Sequence, residues 1–131
     1  MKRRELREHI FKLLFLVEFH EQEELPEQMK LYFDGMALAD EKDHAYIQEK
    51  YTHVKEKLPE IDKELDAVAK GWKTGRMGKV ELTILRLAEY EIKYDEEIPT
   101  GVAINEAVEL GKLFGGEDSF AFINGILAKL V

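Results

Sequence analysis

Apolar residues fall three and four positions apart along almost the whole chain, and nowhere do they alternate over a stretch long enough for a β-strand. That spacing puts apolar side chains on one face of a helix, so each segment must bury its face against a neighbour. The first segment runs from Arg4 to His20, with Leu6, Ile10, Leu13, Leu14 and Val17 on the buried face. Phe11, Phe15 and Phe19 form a second row, which predicts contact with two layers, or with one layer and a partner. Pro26 suits the first turn of a second helix, where its missing N–H costs least, and Met29, Tyr32, Phe33 and Met36 follow. Asp40 caps a third helix with Ala45, Ile47, Tyr51, Val54 and Leu58 on its apolar side, and Pro59 opens a fourth with Ile61, Leu65 and Val68.

Gly71, Gly75 and Gly78 interrupt the pattern and leave Trp72 between two helices. A fifth helix spans Lys79 to Tyr94 through Val80, Ile84, Leu85, Ala88 and Ile92. After Pro99 and Gly101, a sixth covers Val102 to Phe114, burying Ile104, Ala107, Val108 and Leu113. Gly115 and Gly116 end it by offering the left-handed backbone that helix ends favour, and Asp118 or Ser119 caps a seventh carrying Phe122, Ile123, Ile126, Leu127 and Leu130. The expected fold is all-α, a compact bundle of about seven helices. At 131 residues and 45% hydrophobic, the chain suffices for one domain, residues 1–131, with a real core.

The chemistry that this bundle can carry is narrow. With no cysteine, disulfides, thiolate metal sites and a cysteine nucleophile are excluded, which fits a cytoplasmic protein. No apolar run approaches the roughly 20 residues that a bilayer span needs, and the basic start at Lys2, Arg3 and Arg4 lacks the apolar continuation of a signal peptide. Neither a phosphate-binding glycine loop nor a nucleophile elbow is present. Glu41 and His44 have the spacing used twice in helical di-iron bundles, but there is no second copy, and a hydrophilic helix start explains them. No cofactor or metal is implied, nor any enzymatic activity.

Charge distribution says more than its sum. The net charge of −8 opposes polyanion binding, yet residues 1–12 hold Lys2, Arg3, Arg4, Arg7 and Lys12 against Glu5 and Glu8. On a helix Arg3 and Arg7, and Arg4 and Arg7, are neighbours, so all three can face one way. Guanidinium groups bind phosphate in pairs of hydrogen bonds. Single-stranded RNA also needs flat faces for its bases, and Phe114, Phe120 and Phe122 offer them, with a core position for Phe122 as the alternative. A solvated helix end accounts equally well for the basic cluster. Glu18, Glu21, Glu23, Glu24 and Glu27 follow without a basic residue among them.

The carboxy-terminal third contains Ile84-Leu85-Arg86-Leu87-Ala88-Glu89-Tyr90-Glu91, then Ile98-Pro99, then the run from Val102 to Lys112, then Phe122-Ile123-Asn124-Gly125-Ile126-Leu127. In order and spacing these blocks resemble the NusB family of bacterial transcription antitermination factors. The arginine-rich opening and Trp72 with Arg76 agree. The resemblance implies two small helical subdomains sharing the first helix, no catalytic activity, and a ribosomal protein partner, NusE. It implies binding of single-stranded boxA-type RNA with that partner, to promote processive transcription of ribosomal RNA operons, with other Nus factors and RNA polymerase engaged indirectly. Carried over, the RNA-facing residues are Lys2, Arg3, Arg4, Arg7, Asp118, Ser119 and Phe122. Ser119 would donate to a phosphate or base, and Asp118 would limit affinity or cap the helix. The NusE-facing residues are Phe15, Glu18, Arg76 and Glu81.

The chain departs from the family pattern at Leu6, where a small residue is usual, at Gly111, where alanine is usual, and at Thr74-Gly75 before Arg76. Asn105 and Asn124 fit the pattern, with buried amides serving helix ends favoured over contact with RNA. The phenylalanine row offers a surface through which the free protein would pair with itself. A non-enzymatic adaptor that grips a basic partner without touching RNA is the alternative. An RNA-modifying enzyme ranks last, since it needs an α/β domain and a cysteine. No membrane association is implied.

Overall fold

A computed structural model describes residues 1–36, 40–71 and 73–131. Among them lie seven α-helices, two single 3-10 turns and no strand, the all-α organisation that the spacing predicts. No helix among the described residues is long and apolar enough to cross a membrane. Trp72, expected between two helices, falls outside the described residues. The chain divides into two compact units, Met1–Lys55 and Glu56–Val131.

The first unit holds α1 (Arg3–Leu16), a 3-10 turn (Gln22–Glu24), α2 (Leu25–Asp34) and α3 (Glu41–Glu56, its last residue counted with the second unit). Ile10, Phe11, Leu13 and Leu14 of α1 are buried, as are Leu25, Phe33, Ile47, Tyr51 and Val54. α1 stops earlier than the apolar pattern does. The amides of Glu18 and Phe19 bond the carbonyls three residues back, at 3.2 and 3.1 Å, so the chain tightens out of the α-helix while its apolar residues continue. Pro26 stands in the first turn of α2 as expected. Asp40 accepts the Asp43 amide at 2.8 Å, the cap that the sequence predicts. Polar and aromatic groups fasten the helices. The His9 Nδ1 lies 2.5 Å from the Tyr32 hydroxyl, and the rings of Phe33 and His44 stand 3.8 Å apart. Burial pushes Tyr32 up to about 12 and lowers His9, so the neutral form of each group is favoured at this contact.

The second unit is organised around one helix. It contains α4 (Leu58–Val68), a 3-10 turn (Thr74–Arg76), α5 (Lys79–Tyr94), α6 (Thr100–Phe114) and α7 (Ser119–Leu130). The unbroken run from Leu82 to Leu85 and that from Leu87 to Glu91 are buried, so α5 is covered almost all round, and α4, α6 and α7 pack on it. Pro59 lies in the first turn of α4, and Leu58 opens that helix rather than closing α3. Arg86 of α5 grips Asp62 of α4 with two hydrogen bonds, Nε to Oδ1 at 2.9 Å and Nη2 to Oδ2 at 2.8 Å. The Tyr94 hydroxyl donates to Glu64 Oε1 at 2.8 Å.

Between those contacts Glu89 is 0% exposed. Among the described residues neither of its oxygens has a donor, nor has Glu64 Oε2. Burial, and then the neighbouring Glu64, push the Glu89 carboxyl up to about 8. At neutral pH it is protonated, and its own O–H then serves as the donor that the buried oxygens lack.

Three expectations fail. Leu113 is exposed rather than buried. Asn105 and Asn124 are exposed, so neither is a buried amide. Gly115 and Gly116 do not end α6 in left-handed backbone. Gly115 has φ −95° and ψ −177°, and the sole positive φ among the described residues belongs to Gly71. Gly115 is needed for space. A Cβ there would run into the Ser119 Cβ, stand 2.5 Å from its Oγ and 2.7 Å from the Gly111 carbonyl.

Candidate functional site

The basic cluster opens the first unit. Lys2, in extended backbone, precedes α1, and Arg3 and Arg4 form its first turn. All three side chains are exposed, but Arg7 is only 7% exposed. The three arginines therefore do not present one common face to solvent. Burial of Arg7 costs its hydration and fixes its guanidinium in place. The Met1 ammonium pairs with Asp43 Oδ2 at 2.8 Å, which ties the start of α1 to the first turn of α3. That hydrogen bond holds the ammonium above its usual range.

Further along α1 the phenylalanines form a ladder. The Phe11 and Phe15 rings are stacked with centroids 5.9 Å apart, and Phe15 meets Phe19 edge-on at 4.9 Å. Burial falls along it: Phe11 is buried, Phe15 half-buried and Phe19 53% exposed. Glu18 is half-buried beside its exposed end. The row is therefore covered at its Phe11 end and exposed at Phe19, where the sequence allows a partner in place of a second layer.

In the second unit the structure brings together residues that the family resemblance divides between two surfaces. Arg76, Met77, Gly78 and Glu81 line one wall of a cavity of about 390 Å³, and Gly116, Glu117, Asp118, Ser119 and Phe122 line the rest. Arg76 is held there by its own turn. Asp66 of α4 accepts the Thr74 amide at 2.7 Å and faces its hydroxyl at 3.3 Å, anchoring the 3-10 turn that carries Arg76. Phe122 is half-buried, so part of its ring remains available to a ligand.

Two residues here differ from expectation. Asp118 precedes α7 but makes no side-chain capping bond. Ser119 is 5% exposed, and its hydroxyl already both accepts and donates. It accepts the Gly116 amide at 2.9 Å and donates to Glu81 Oε1 at 2.6 Å. A serine committed in this way is not placed to donate to a phosphate or base. Sequence reasoning misses Asp66, Gly78 and Gly116. Asp66 lies eight residues from Thr74, and no local pattern announces the pairing. Both glycines are visible in the sequence, but there they signal backbone freedom, whereas Gly78 leaves room for the Glu81 carboxylate and Gly116 supplies its amide to Ser119.

No group of three His or carboxylate side chains placed to hold a metal ion is found among the described residues.

A family model, the NusB family, matches residues 4–131. The chain belongs to the NusB family. A relative from Lachnoclostridium phytofermentans, named transcription antitermination protein NusB, is 50% identical over 131 residues, covering 100% of this chain and 99% of its own. The structure of T. maritima NusB superposes with a TM-score of 0.89 at 34% identity, covering 99% of this chain and 90% of that one. A structure of antitermination factors NusB and NusE in complex with dsRNA gives a TM-score of 0.85 at 22% identity, over 98% and 94% of the two chains, and shows the shared fold. Against the NusB pattern, Gly111 has a local reason. A Cβ at that position would stand 2.9 Å from Ile123 Cδ1 and 3.4 Å from the Phe120 backbone, so this chain brings α6 and α7 close at a point where alanine would force Ile123 to move.

Proposed function

We propose that this chain is a transcription antitermination factor that binds single-stranded boxA-type RNA together with the ribosomal protein NusE and promotes processive transcription of ribosomal RNA operons. The observation that carries this reading is 50% identity, along the full chain, to a protein named for transcription antitermination. The structure of NusB and NusE with dsRNA supports RNA and NusE as the ligands of a chain with this fold. The protein acts in the cytoplasm as a non-enzymatic adaptor, with residues 1–131 serving as one RNA-binding domain and other Nus factors and RNA polymerase reached through the assembly. On a molecule of net charge −8, phosphates are held only where cations are presented. Lys2, Arg3 and Arg4 supply those cations, Arg7 adds its charge from a buried position, and Phe122 with Asp118 and the loop fixed by Ser119 contacts a base. Phe15, Glu18, Arg76 and Glu81 belong to the NusE side.

The test is titration of a boxA-like RNA, single-stranded and duplex, with and without NusE across a range of salt. Replacing Arg3 and Arg4 by alanine lowers affinity and flattens the slope of log K against log salt by about 0.7 for each single-strand phosphate left without its cation. Unchanged affinity removes these residues from the site. The acidic residues from Glu18 to Glu27 favour the second reading, an adaptor that grips a basic protein and leaves RNA alone. In that case capture of NusE survives nuclease and the RNA titration stays flat.

A further inference from the structure

The family resemblance places Glu81 and Ser119 against different ligands, yet the two share a proton. Glu81 is in the first turn of α5, and Ser119 is the first residue of α7. Their 2.6 Å contact is in the range of a hydroxyl bound to an ionised carboxylate, which is about twice as strong as a neutral pair. The Ser119 oxygen also takes the Gly116 amide at 2.9 Å, so a chain of amide, hydroxyl and carboxylate ties the segment between α6 and α7 to the start of α5.

Two glycines make room for it. A Cβ on Gly78 would stand 2.5 Å from Glu81 Oε2, and one on Gly115 would overlap the Ser119 side chain. The device thus has a carboxylate seated against one bare backbone, a hydroxyl seated against another, and both in the wall of the same cavity. A ligand that draws the Glu81 carboxylate toward itself must take it from Ser119. The Gly116 amide then loses its acceptor's anchor, and the segment carrying Glu117 and Asp118 is released.

We propose that the Gly116–Ser119–Glu81 hydrogen-bond chain couples the partner wall of this cavity to its RNA wall, which makes Ser119 a positioning residue and Glu81 the lever through which partner binding reaches the loop. This rests on the function proposed above. Coupling of this kind is reciprocal: whatever NusE does for RNA affinity, RNA does equally for NusE affinity.

Two measurements on the full chain test it. The first needs no ligand. Hydrogen exchange of the Gly116 amide is slow in the native protein and accelerates at least about tenfold in both S119A and E81A, with helicity by circular dichroism retained. Should S119A fail to fold, E81Q keeps the test alive, because its amide oxygen still accepts and the acceleration is smaller than in E81A. Unchanged Gly116 exchange in the folded variants overturns the hydrogen-bond chain.

The second measures boxA-like RNA binding with and without NusE. The ratio of the two affinities falls at least about fivefold in S119A, the lower end of usual coupling factors, and the S119A/E81A double variant does no worse than E81A. Additive losses, or an unchanged ratio, overturn the coupling. A native protein that binds neither ligand while Gly116 still responds to both substitutions overturns the functional reading and the coupling together, and places the failure in the ligands rather than in the hydrogen-bond chain.

Discussion

The two units differ in how many of their charged and aromatic residues they leave exposed. The first fastens some of them, His9 against Tyr32 and Met1 against Asp43, and buries Arg7, but it leaves Lys2, Arg3 and Arg4 exposed and Phe19 53% exposed. The second ties them down. Asp62 holds Arg86, Asp66 holds Thr74, Glu64 holds Tyr94 and Glu81 holds Ser119, while Glu89 is shut inside with its proton. An exposed group can be reached by a ligand and adds little to stability. A tethered group fixes geometry, and its removal leaves a partner stranded. The comparison implies that damage to the second unit is read mainly in stability, and damage to the first mainly in binding.

The largest expected effect is in the centre of α5. Ile84 is 0% exposed, and Ile84→Ala costs about 2 to 5 kcal/mol in chemical denaturation, through reduced burial and the cavity left behind. A cost under about 1 kcal/mol means that α5 is not the centre of its unit.

Next comes a pH effect. The Glu89 carboxyl is raised from 4.5 to about 8 in the folded chain. Between those values the native state binds a proton that the unfolded state does not. The stabilisation is therefore complete below pH 4.5 and is lost as pH rises through about 8, by up to about 1.4 kcal/mol per pH unit. Urea unfolding measured from pH 5 to pH 9 shows the decline, and Glu89→Gln flattens it. A Glu89→Gln protein whose stability still falls with the native slope assigns the effect to other groups.

In the first unit, Tyr32→Phe removes the hydroxyl beside His9 and costs about 0.5 to 1.5 kcal/mol, one hydrogen bond's worth. Smallest of all, Phe19→Ala changes stability by less than about 0.5 kcal/mol, since the ring is 53% exposed. A large loss there shows that the exposed end of the ladder is a structural element, and the contrast between the units collapses.

Much of this is legible in the chain itself. Periodicity places α5 at Lys79–Tyr94, the bounds observed, because its ends coincide with a glycine and an acidic turn. The two helix-opening prolines and the Asp40 cap are local signals, and each stands where the sequence puts it. What escapes is non-local or volumetric. Apolar spacing continues past Leu16 although the hydrogen bonds tighten there, so periodicity overruns the end of α1. Arg7 shares a helix face with Arg3 by spacing, yet burial separates them. The Ser119–Glu81 contact spans 38 positions, and the purpose of Gly115 is intelligible only once Ser119 is seen occupying the space that its missing side chain leaves.

The enclosed carboxyl of α5 has one more consequence. In neutral solution, the enclosure of Glu89 consumes a proton: the extended polymer carries this side chain as an anion, and the collapsed one draws a hydrogen ion from the medium to close around it. Heat of refolding recorded in buffers of unlike ionisation enthalpy will differ by the heat of supplying that ion, which lets a calorimeter count how tightly the bundle has shut.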